Sequence, residues 1–185
     1  MSAPEVPLVS GADVEAAAQL LAGVVRRTPL EHSRGLADRV GGPVWLKCEN
    51  LQRTGSFKER GALNRMLAIP EDERRRGVIA ASAGNHAQGV AFHARELGIP
   101  ATIVMPERTP LVKVSNTERY GARVVLHGSV YDEAMAEAQR IRARAPARSR
   151  AGAPVRVRLP AGAGAPRPAG GRSPPAAPPR GRCRR

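Results

Sequence analysis

The sequence is poor in aromatic residues and cysteine, and it lacks long apolar runs. Aromatic residues make up 3% of the 185 residues, and the two cysteines, Cys48 and Cys183, lie far apart. Two such cysteines form neither a disulfide framework nor a metal-binding spacing, and they favour a reducing compartment. No apolar run is long enough to cross a bilayer, and the N-terminal segment MSAPEVPLVS is too polar for a signal peptide. These absences predict a cytoplasmic protein without a membrane span or a metal site.

Acidic residues are absent from the last part of the chain. All 16 acidic residues precede Arg142, whereas 12 of the 30 basic residues lie in residues 142–185. The 18 basic residues before that point nearly balance the 16 acidic ones, so most of the net charge of +14 belongs to the C-terminal segment. The basic character of the chain therefore indicates nothing about what the folded part binds.

Residues 142–185 also have an unusual composition. Ala, Arg, Pro and Gly fill 38 of these 44 positions, without any aromatic residue or lysine. Such a segment buries too little apolar surface to offset its ordering entropy, so we expect a disordered tail. Nearly all codons of these four residues begin with two G or C bases, which favours the hypothesis that a GC-rich gene is read out of frame after Ile141. An arginine-rich nucleic-acid-binding tail is the alternative, which the lack of stacking aromatic residues disfavours.

Hydrophobic periodicity predicts helices and strands before the tail. Ser10 followed by Asp13 resembles a helix start, and glycines follow several segments of helical periodicity. The predicted helices are residues 13–25, 35–40, 57–66, 85–98, 110–121 and 131–141. The predicted strands are residues 44–49, 78–83, 101–106 and 123–128. From residue 78 onwards strands and helices alternate through short links, which predicts an α/β fold with a parallel sheet and helical crossovers.

One loop after a predicted strand is unusual. Open parallel sheets bind ligands at the C-terminal ends of their strands, and the loop SAGNHAQG (Ser82 to Gly89) stands at such an end. It brings small residues and Asn85 to a helix start, where unpaired N–H groups and the positive end of the helix dipole suit a carboxylate. A plain N-cap with tight packing explains the loop equally well. No nucleotide-phosphate motif is present in the sequence.

A second candidate is Lys58, which follows a Thr-Gly-Ser-Phe turn at the start of a helix in the segment TGSFKERG. A lysine attacks an aldehyde only when it is uncharged. Because the ordinary pKa of lysine is about 10.4, work near neutral pH requires that this pKa be lowered or that the amine be held as a Schiff base. Taken alone, Lys58 fits a solvated surface residue better. Together with the Asn85 loop, it indicates a catalytic amine.

Four segments closely resemble the threonine dehydratases, which are pyridoxal-phosphate enzymes of the tryptophan-synthase-β-like fold, or fold type II. They are ENLQRTGSFKERGA (49–62), ASAGNHAQGVAF (81–92), IVMPERTPLVKV (103–114) and YGARVVLHG (120–128). They follow the family's order and spacing, and the resemblance runs from about Arg27 to Ile141. It implies an ammonia-lyase of amino-acid metabolism, in isoleucine biosynthesis, whose substrate is L-threonine or L-serine. β-Elimination of L-threonine gives 2-oxobutanoate and ammonia.

The resemblance implies a role for each matching residue. Lys58 would form the Schiff base with pyridoxal 5'-phosphate and, once released, remove the Cα proton, while Phe57 would pack by the cofactor. Asn85 would hydrogen-bond the phenolic oxygen of the pyridine ring. The substrate carboxylate would be held by Ser82, Gly84, Asn85 and His86. His86 and His93 are seven residues apart, but no further ligands accompany them, so His93 is interpreted as a helix-face residue.

The family also implies parts that this sequence lacks. Its glycine-rich loop for the cofactor phosphate does not appear, because AGAGAPRPAGG in the tail has no preceding strand pattern and its prolines remove N–H donors. Residues 1–141 are therefore predicted to be the N-terminal portion of a dehydratase domain, and residues 142–185 a tail. The activity of this chain is predicted to be impaired.

Several alternatives stay open. Serine dehydratases, threonine synthases and cysteine synthases use the same fold and the same kind of lysine, and nothing assigns a preference for threonine or serine. Ala83 favours a dehydratase over a racemase, because the related serine racemases commonly carry a serine there that protonates the opposite face of the carbanion. An inactive or non-catalytic fragment with an arginine-rich tail is a further alternative. Family members are commonly dimers or tetramers, so a homo-oligomer is expected.

Overall fold

The computed structural model describes residues 9–144 and 155–157. The helices are α1 (Gly11–Leu20), α2 (Arg34–Val40), α3 (Lys58–Leu67), α4 (Glu71–Arg74), α5 (Asn85–Glu96), α6 (Leu111–Glu118) and α7 (Tyr131–Arg144), with a short 3-10 helix at Glu49–Leu51. The strands are β1 (Leu30–His32), β2 (Trp45–Lys47), β3 (Val78–Ala81), β4 (Ala101–Met105), β5 (Arg123–Leu126) and β6 (Val155–Arg156). None of the helices within these ranges is long and apolar enough to cross a bilayer.

A four-stranded parallel sheet in the order β5-β4-β3-β6 forms the centre of the fold. β3 and β4 lie side by side, with Val78 opposite Ala101 and Ala81 opposite Val104. Apart from Thr102 both strands are apolar, and they are almost fully buried, as is usual for parallel strands that are covered on both faces. The predicted α/β fold, with a parallel sheet and helical crossovers, is confirmed.

The two faces of the sheet carry separate clusters of buried apolar side chains. On one face, residues of α3, α5 and α6 pack with Ile103 and Met105 of β4. On the other face, residues of α7 pack with Val104 of the same strand. Successive side chains of a strand point to opposite faces, so β4 contributes to both clusters. This double burial fixes the ends of β3 and β4 relative to the helices that follow them.

Several predicted helix ends are confirmed by the backbone. α5 is followed by Gly98 with a φ of 66°, and α6 by Gly121 with a φ of 80°, the left-handed conformation that glycine adopts most readily. α1 begins where predicted, and Ser10 and Asp13 exchange the expected capping hydrogen bonds. It ends at Leu20, however, five positions before the predicted Val25, because turns occupy the residues that follow.

A small antiparallel sheet precedes the lysine-bearing segment. β1 pairs with β2, so that Leu30 lies opposite Lys47 and His32 opposite Trp45. The sequence predicts β2 within residues 44–49 but not β1, since three residues of mixed polarity carry no periodic signal. Both strands are exposed along their whole length, and 58% of the Trp45 surface is accessible. These apolar side chains therefore lie outside the buried core of the parallel sheet.

Within residues 142–185 the structure describes residues 142–144 and 155–157. Both stretches contribute regular secondary structure, whereas the sequence predicts a disordered tail. α7 continues to Arg144, and β6 pairs in parallel with β3. Val157 donates its N–H to the Ile79 carbonyl at 2.9 Å, and its side chain is buried. The composition of the whole segment obscures the local pattern Val-Arg-Val, which suits a strand beside β3. The rest of the predicted tail lies outside the described residues.

Replacing Ile103 should test whether β4 is the centre of the core. Ile103→Ala removes a fully buried side chain and leaves a cavity, so we expect the free energy of unfolding to fall by about 2–5 kcal/mol. Leu111→Ala is the control, because Leu111 is 79% exposed, and should change it by less than about 0.5 kcal/mol. Urea unfolding followed by circular dichroism measures both. Equal losses in the two variants would contradict this assignment of the core.

Candidate active site

Lys58 is the first residue of α3, and a tight turn holds it there. Gly55 has a φ of 73°, which allows the chain to reverse between Thr54 and Ser56. The Ser56 hydroxyl accepts the Lys58 N–H at 3.3 Å, and Phe57 immediately precedes the helix. Lys58 Nζ lies 5.0 Å from the centre of the Phe57 ring. The lysine is half-buried at the positive end of the helix dipole, within one residue of the predicted helix start.

The loop between β3 and α5 and the first two residues of α5 contain the predicted carboxylate-binding residues. Ser82 follows β3 and donates its N–H to the Val104 carbonyl at 3.0 Å. The Ser82 hydroxyl accepts the Gly84 N–H at 3.3 Å. α5 begins at Asn85, which is exposed, and no side chain caps this end of the helix. The first N–H groups of α5 therefore remain available to an external anionic oxygen.

Close packing of α5 on the start of α3 brings this loop and Lys58 together. A Cβ on Gly89 would lie 3.2 Å from the Glu59 Cα and 3.3 Å from the Lys58 carbonyl carbon. Glycine permits this approach of helix to backbone because it has no side chain. Lys58 consequently lies beside the Ser82–His86 loop, at the C-terminal end of β3, where open parallel sheets bind their ligands.

His86 lies near Lys58 and is held in its neutral form. Burial lowers the pKa of His86, the hydrogen bond with the Val157 carbonyl partly offsets this effect, and the charge of Lys58 lowers the pKa further. Nε2 lies 3.4 Å from the Val157 carbonyl oxygen. With a carbonyl as its partner, Nε2 carries the proton, and Nδ1 is left as an acceptor. Nδ1 is buried and has no hydrogen-bond partner among the residues that the structure describes.

Arg60 has a partner that sequence spacing does not reveal. Its guanidinium forms a two-point ion pair with Glu49, in which Nε lies 2.9 Å from Oε2 and Nη2 lies 2.9 Å from Oε1. Burial acts to raise the pKa of Glu49, but the hydrogen bonds from Arg60 and Thr28 outweigh it and hold this pKa below its ordinary value. The charge of Arg60 is therefore matched at Glu49.

Glu59 is also a site residue that the sequence analysis missed. It is completely buried, and its Oε2 accepts the Thr54 N–H at 3.0 Å and the Thr54 hydroxyl at 3.2 Å. Its Oε1 has no hydrogen-bond partner within the described ranges. Leu63 and Met66, which are buried on the same helix, stand four and seven positions after Glu59. This helical spacing is the signal that places Glu59 on the buried face.

His93, interpreted from the sequence as a helix-face residue, lies on the buried face of α5. None of its surface is exposed, and neither ring nitrogen has a hydrogen-bond partner in the described part of the chain. Burial, with a smaller contribution from the charge of Arg53, lowers the pKa of His93 to about 4. The imidazole is therefore uncharged at neutral pH. His93 stands one helical turn beyond Gly89 on the same helix.

Two other features of the described residues do not belong to this site. A surface depression of about 240 Å³ lies between α5 and residues 120–122, and its lining includes Ala101 at the N-terminal end of β4. None of the predicted site residues lines it. No cluster of three or more His, Cys, Asp or Glu side chains within the described ranges could hold a metal ion.

The residues around Lys58 fit an aldehyde cofactor with an anionic group beside it. The primary amine of Lys58 can bond to an aldehyde carbon, and the uncapped start of α5 offers N–H groups to an anion. A parallel α/β unit with a lysine at this place is typical of one class of pyridoxal-phosphate enzymes. Residues 21–157 match the family described as pyridoxal-phosphate dependent enzyme, and the chain belongs to this family. The match passes Ile141, where the sequence analysis ended the resemblance, and it includes β6.

Individual relatives narrow the comparison. The L-threonine ammonia-lyase of Thermotoga maritima is 53% identical over 135 residues, which are 73% of this chain and 34% of the relative. The processed form of threonine deaminase isoform 2 from Solanum lycopersicum is 36% identical, with a TM-score of 0.66 over 81% of this chain and 41% of that chain. Maize serine racemase is 32% identical, with a TM-score of 0.70 over 78% of this chain and 42% of that chain. The chain thus spans well under half the length of these proteins.

Gly89→Val should separate α5 from α3 and destabilise the fold. The added side chain would meet the backbone of Lys58 and Glu59, so we expect the free energy of unfolding to fall by about 1–3 kcal/mol. Gly35→Val is the matched control, because Gly35 is also helical but has no neighbouring atom within 4 Å of its potential Cβ. It should change stability by less than about 0.5 kcal/mol. Denaturant unfolding of both variants measures the difference, and equal effects would contradict the close contact.

His93 should make the protein less stable in mild acid. Its pKa is about 4 when folded and about 6.5 when unfolded, so the unfolded state binds more protons between these values, and stability falls as pH falls. From pH 7 to pH 5 the contribution of His93 amounts to about 2 kcal/mol. His93→Leu should lose that share of the pH dependence. Urea unfolding at both pH values measures it, and parallel stability curves for the variant and the wild type would contradict the lowered pKa.

Proposed function

We propose that the chain carries the lysine and the carboxylate-binding loop of a pyridoxal-phosphate-dependent ammonia-lyase that acts on L-threonine or L-serine. The observation that carries the proposal is the close packing of Gly89 on the backbone of Lys58 and Glu59, which brings the start of α3 against α5. The activities by which the Thermotoga relative and the tomato enzyme are named support the reaction class. Both candidate substrates are 2-amino-3-hydroxy acids, which have the β-hydroxyl that this elimination removes.

Each predicted site residue has a role in this proposal. Lys58 bonds to the aldehyde carbon of pyridoxal 5'-phosphate and, when its amine is free, takes the proton from the substrate Cα. Phe57 packs beside the cofactor, and the Asn85 amide donates a hydrogen bond to the phenolic oxygen. The bound cofactor supplies an electron sink for the charge that is left on Cα. The substrate carboxylate is bound at the start of α5 by Ser82, Gly84, Asn85 and His86.

The helix dipole of α5 and the lowered pKa of His86 support this assignment. The start of α5 offers N–H groups and the positive end of a helix dipole to a carboxylate. His86, whose pKa is lowered, contributes a neutral imidazole rather than a second full charge beside Lys58. Elimination from L-threonine releases the Cα proton and the β-hydroxyl, and hydrolysis then gives 2-oxobutanoate and ammonia. No oxidant or reductant is needed for this net change.

Dehydration rather than racemisation is the proposed outcome, although maize serine racemase has the same fold. Ala83 occupies the loop position at which the related racemases commonly carry a serine, and a methyl group cannot return a proton to the opposite face of Cα. We therefore propose poor racemase activity for enzymes with alanine at this place. Conversion of L-serine to D-serine by an intact relative that carries this alanine would contradict the proposal.

The proposal also covers the domain boundary, the activity of this chain, and the location and oligomeric state of the complete enzyme. Residues 1–141 form the N-terminal portion of the dehydratase domain, and residues 142–185 form a segment of different composition. The chain spans 34% of the Thermotoga relative, so we propose that turnover by this chain alone is impaired. A cytoplasmic homo-oligomer that takes part in isoleucine biosynthesis is the proposed setting of the complete enzyme.

Covalent trapping tests the role of Lys58 directly. The chain has three lysines, Lys47, Lys58 and Lys113, and Lys113 lies exposed on α6. After incubation with pyridoxal 5'-phosphate and reduction with borohydride, peptide mass spectrometry should find Lys58 labelled about tenfold or more above Lys113, because the site orients the reactants. Lys58→Arg should leave only the background at the other two lysines. Equal labelling of Lys58 and Lys113 would overturn the proposed function.

Turnover gives the second measurement. With added cofactor, the purified chain should deaminate L-threonine at less than about a tenth of the rate of the intact Thermotoga enzyme. The chain aligns with 34% of that enzyme, so groups in the rest of the enzyme that position the reactants have no counterpart in the alignment. Release of 2-oxobutanoate is followed in both proteins under the same conditions. A comparable rate in this chain would contradict the proposed impairment while supporting the proposed reaction.

A further inference from the structure

Glu59 links the two ends of the turn that presents Lys58. The residue lies in the first turn of α3, directly after the lysine, and its Oε2 accepts both the N–H and the hydroxyl of Thr54. These two bonds, at 3.0 and 3.2 Å, close a ring around Gly55, Ser56 and Phe57. The start of the turn is thereby tied to the helix that carries the amine. Among the described residues, no other side chain accepts the Thr54 N–H.

The burial of Glu59 argues against a role in stability alone. None of its surface is exposed, and Oε1 has no hydrogen-bond partner among the described residues. A carboxyl group in this environment costs free energy that an apolar side chain of similar size would not cost. What the carboxyl group adds is the pair of bonds to Thr54. Residues that break packing rules in this way are concentrated at functional sites.

The position of Glu59 also connects the turn to the opposite side of the site. Gly89 of α5 lies against the Glu59 Cα, and the proposed carboxylate-binding residues stand at the start of α5 and in the loop before it. A change in the conformation of the Thr54–Phe57 turn would therefore move Lys58 relative to that loop. Displacements of about 1 Å are enough to reduce reaction rates by about a hundredfold.

We propose that Glu59 is a positioning residue, which holds the Thr54–Phe57 turn so that the Lys58 amine faces the Ser82–His86 loop. The inference rests on the proposed function, because it concerns the presentation of the lysine that bonds to the cofactor. This role requires no contact of Glu59 with the cofactor or the substrate. It acts through Thr54 and the backbone of the turn.

Site-specific labelling of the full chain tests this role. In the reaction the lysine nitrogen bonds to the aldehyde carbon of pyridoxal 5'-phosphate, the aldehyde oxygen leaves as water, and added borohydride reduces the resulting C=N bond. The measured quantity is the rate of labelling at Lys58 divided by the rate at exposed Lys113 in the same molecule. Lys113 reports the intrinsic reactivity of a solvated lysine, so the ratio is insensitive to protein concentration and reagent strength.

Two substitutions of Glu59 give the expected contrast. Glu59→Ala removes the acceptor for Thr54 and should lower the labelling ratio about tenfold. Glu59→Gln keeps one carboxamide oxygen that can accept from Thr54, and should keep the ratio within about threefold of the wild type. Circular dichroism and urea unfolding identify the variants that remain folded. A merely structural role would lower stability without changing the ratio in the folded protein.

The outcomes separate this inference from the proposed function. If the wild type labels Lys58 preferentially and folded Glu59→Ala does so equally, the positioning role of Glu59 is overturned and the proposed function stands. If the wild type shows no preference for Lys58, the proposed function fails and the role of Glu59 fails with it. If Glu59→Ala does not fold, Thr54→Val decides, because it removes one of the two bonds while keeping the size of the side chain. A fall in its ratio supports the inference, and an unchanged ratio overturns it.

Discussion

The two-point ion pair between Glu49 and Arg60 is the interaction on which the geometry of the candidate site depends. It closes residues 49–60, which contain the whole lysine-bearing turn, into a loop with fixed ends. Glu49 also accepts the Thr28 hydroxyl at 2.6 Å, and Arg60 donates to the Arg26 carbonyl at 3.0 Å, so the N-terminal segment is joined to α3 at the same point. An ammonium group could not replace this guanidinium, because it cannot form two parallel hydrogen bonds in one plane.

A series of contacts connects this ion pair to the parallel sheet. Within this loop, Glu59 of α3 accepts a hydrogen bond from Thr54 of the turn. Gly89 allows the start of α3 to pack closely against α5. The loop before α5 is held in turn by the hydrogen bond from Ser82 to Val104 of β4. The last contact in the series is therefore with a strand that is packed on both faces. The lysine and the anion-binding helix start are thus fixed to one frame, although they come from opposite sides of β3 in the sequence.

Sequence patterns could predict what depends on periodicity and could not predict what depends on contacts between distant residues. The parallel sheet and its helices could be predicted from the apolar residues of β3 and β4 and from the glycines after α5 and α6. The short β1 and α4 carry too few residues for a periodic signal. Glu49 and Arg60 are eleven residues apart and pair through the fold, so neither helical nor strand spacing connects them. Lys58 and the Asn85 loop could be chosen together because their motifs occur in family order, whereas the buried Glu59 contributes no motif of its own.

The composition changes at Arg142, whereas the family match ends at Val157, and the structure explains this difference. The acidic residues end before Arg142, but the family match continues to Val157. Between these points lies β6, whose pairing with β3 needs backbone N–H and carbonyl groups rather than a particular composition. A short strand can therefore occupy the edge of the sheet within a segment that is mostly Ala, Arg, Pro and Gly. The buried Val157 side chain and its carbonyl, which faces His86, show that this strand contributes to the core and to the surroundings of the site. The change in composition at Arg142 therefore lies before the last strand that the structure describes.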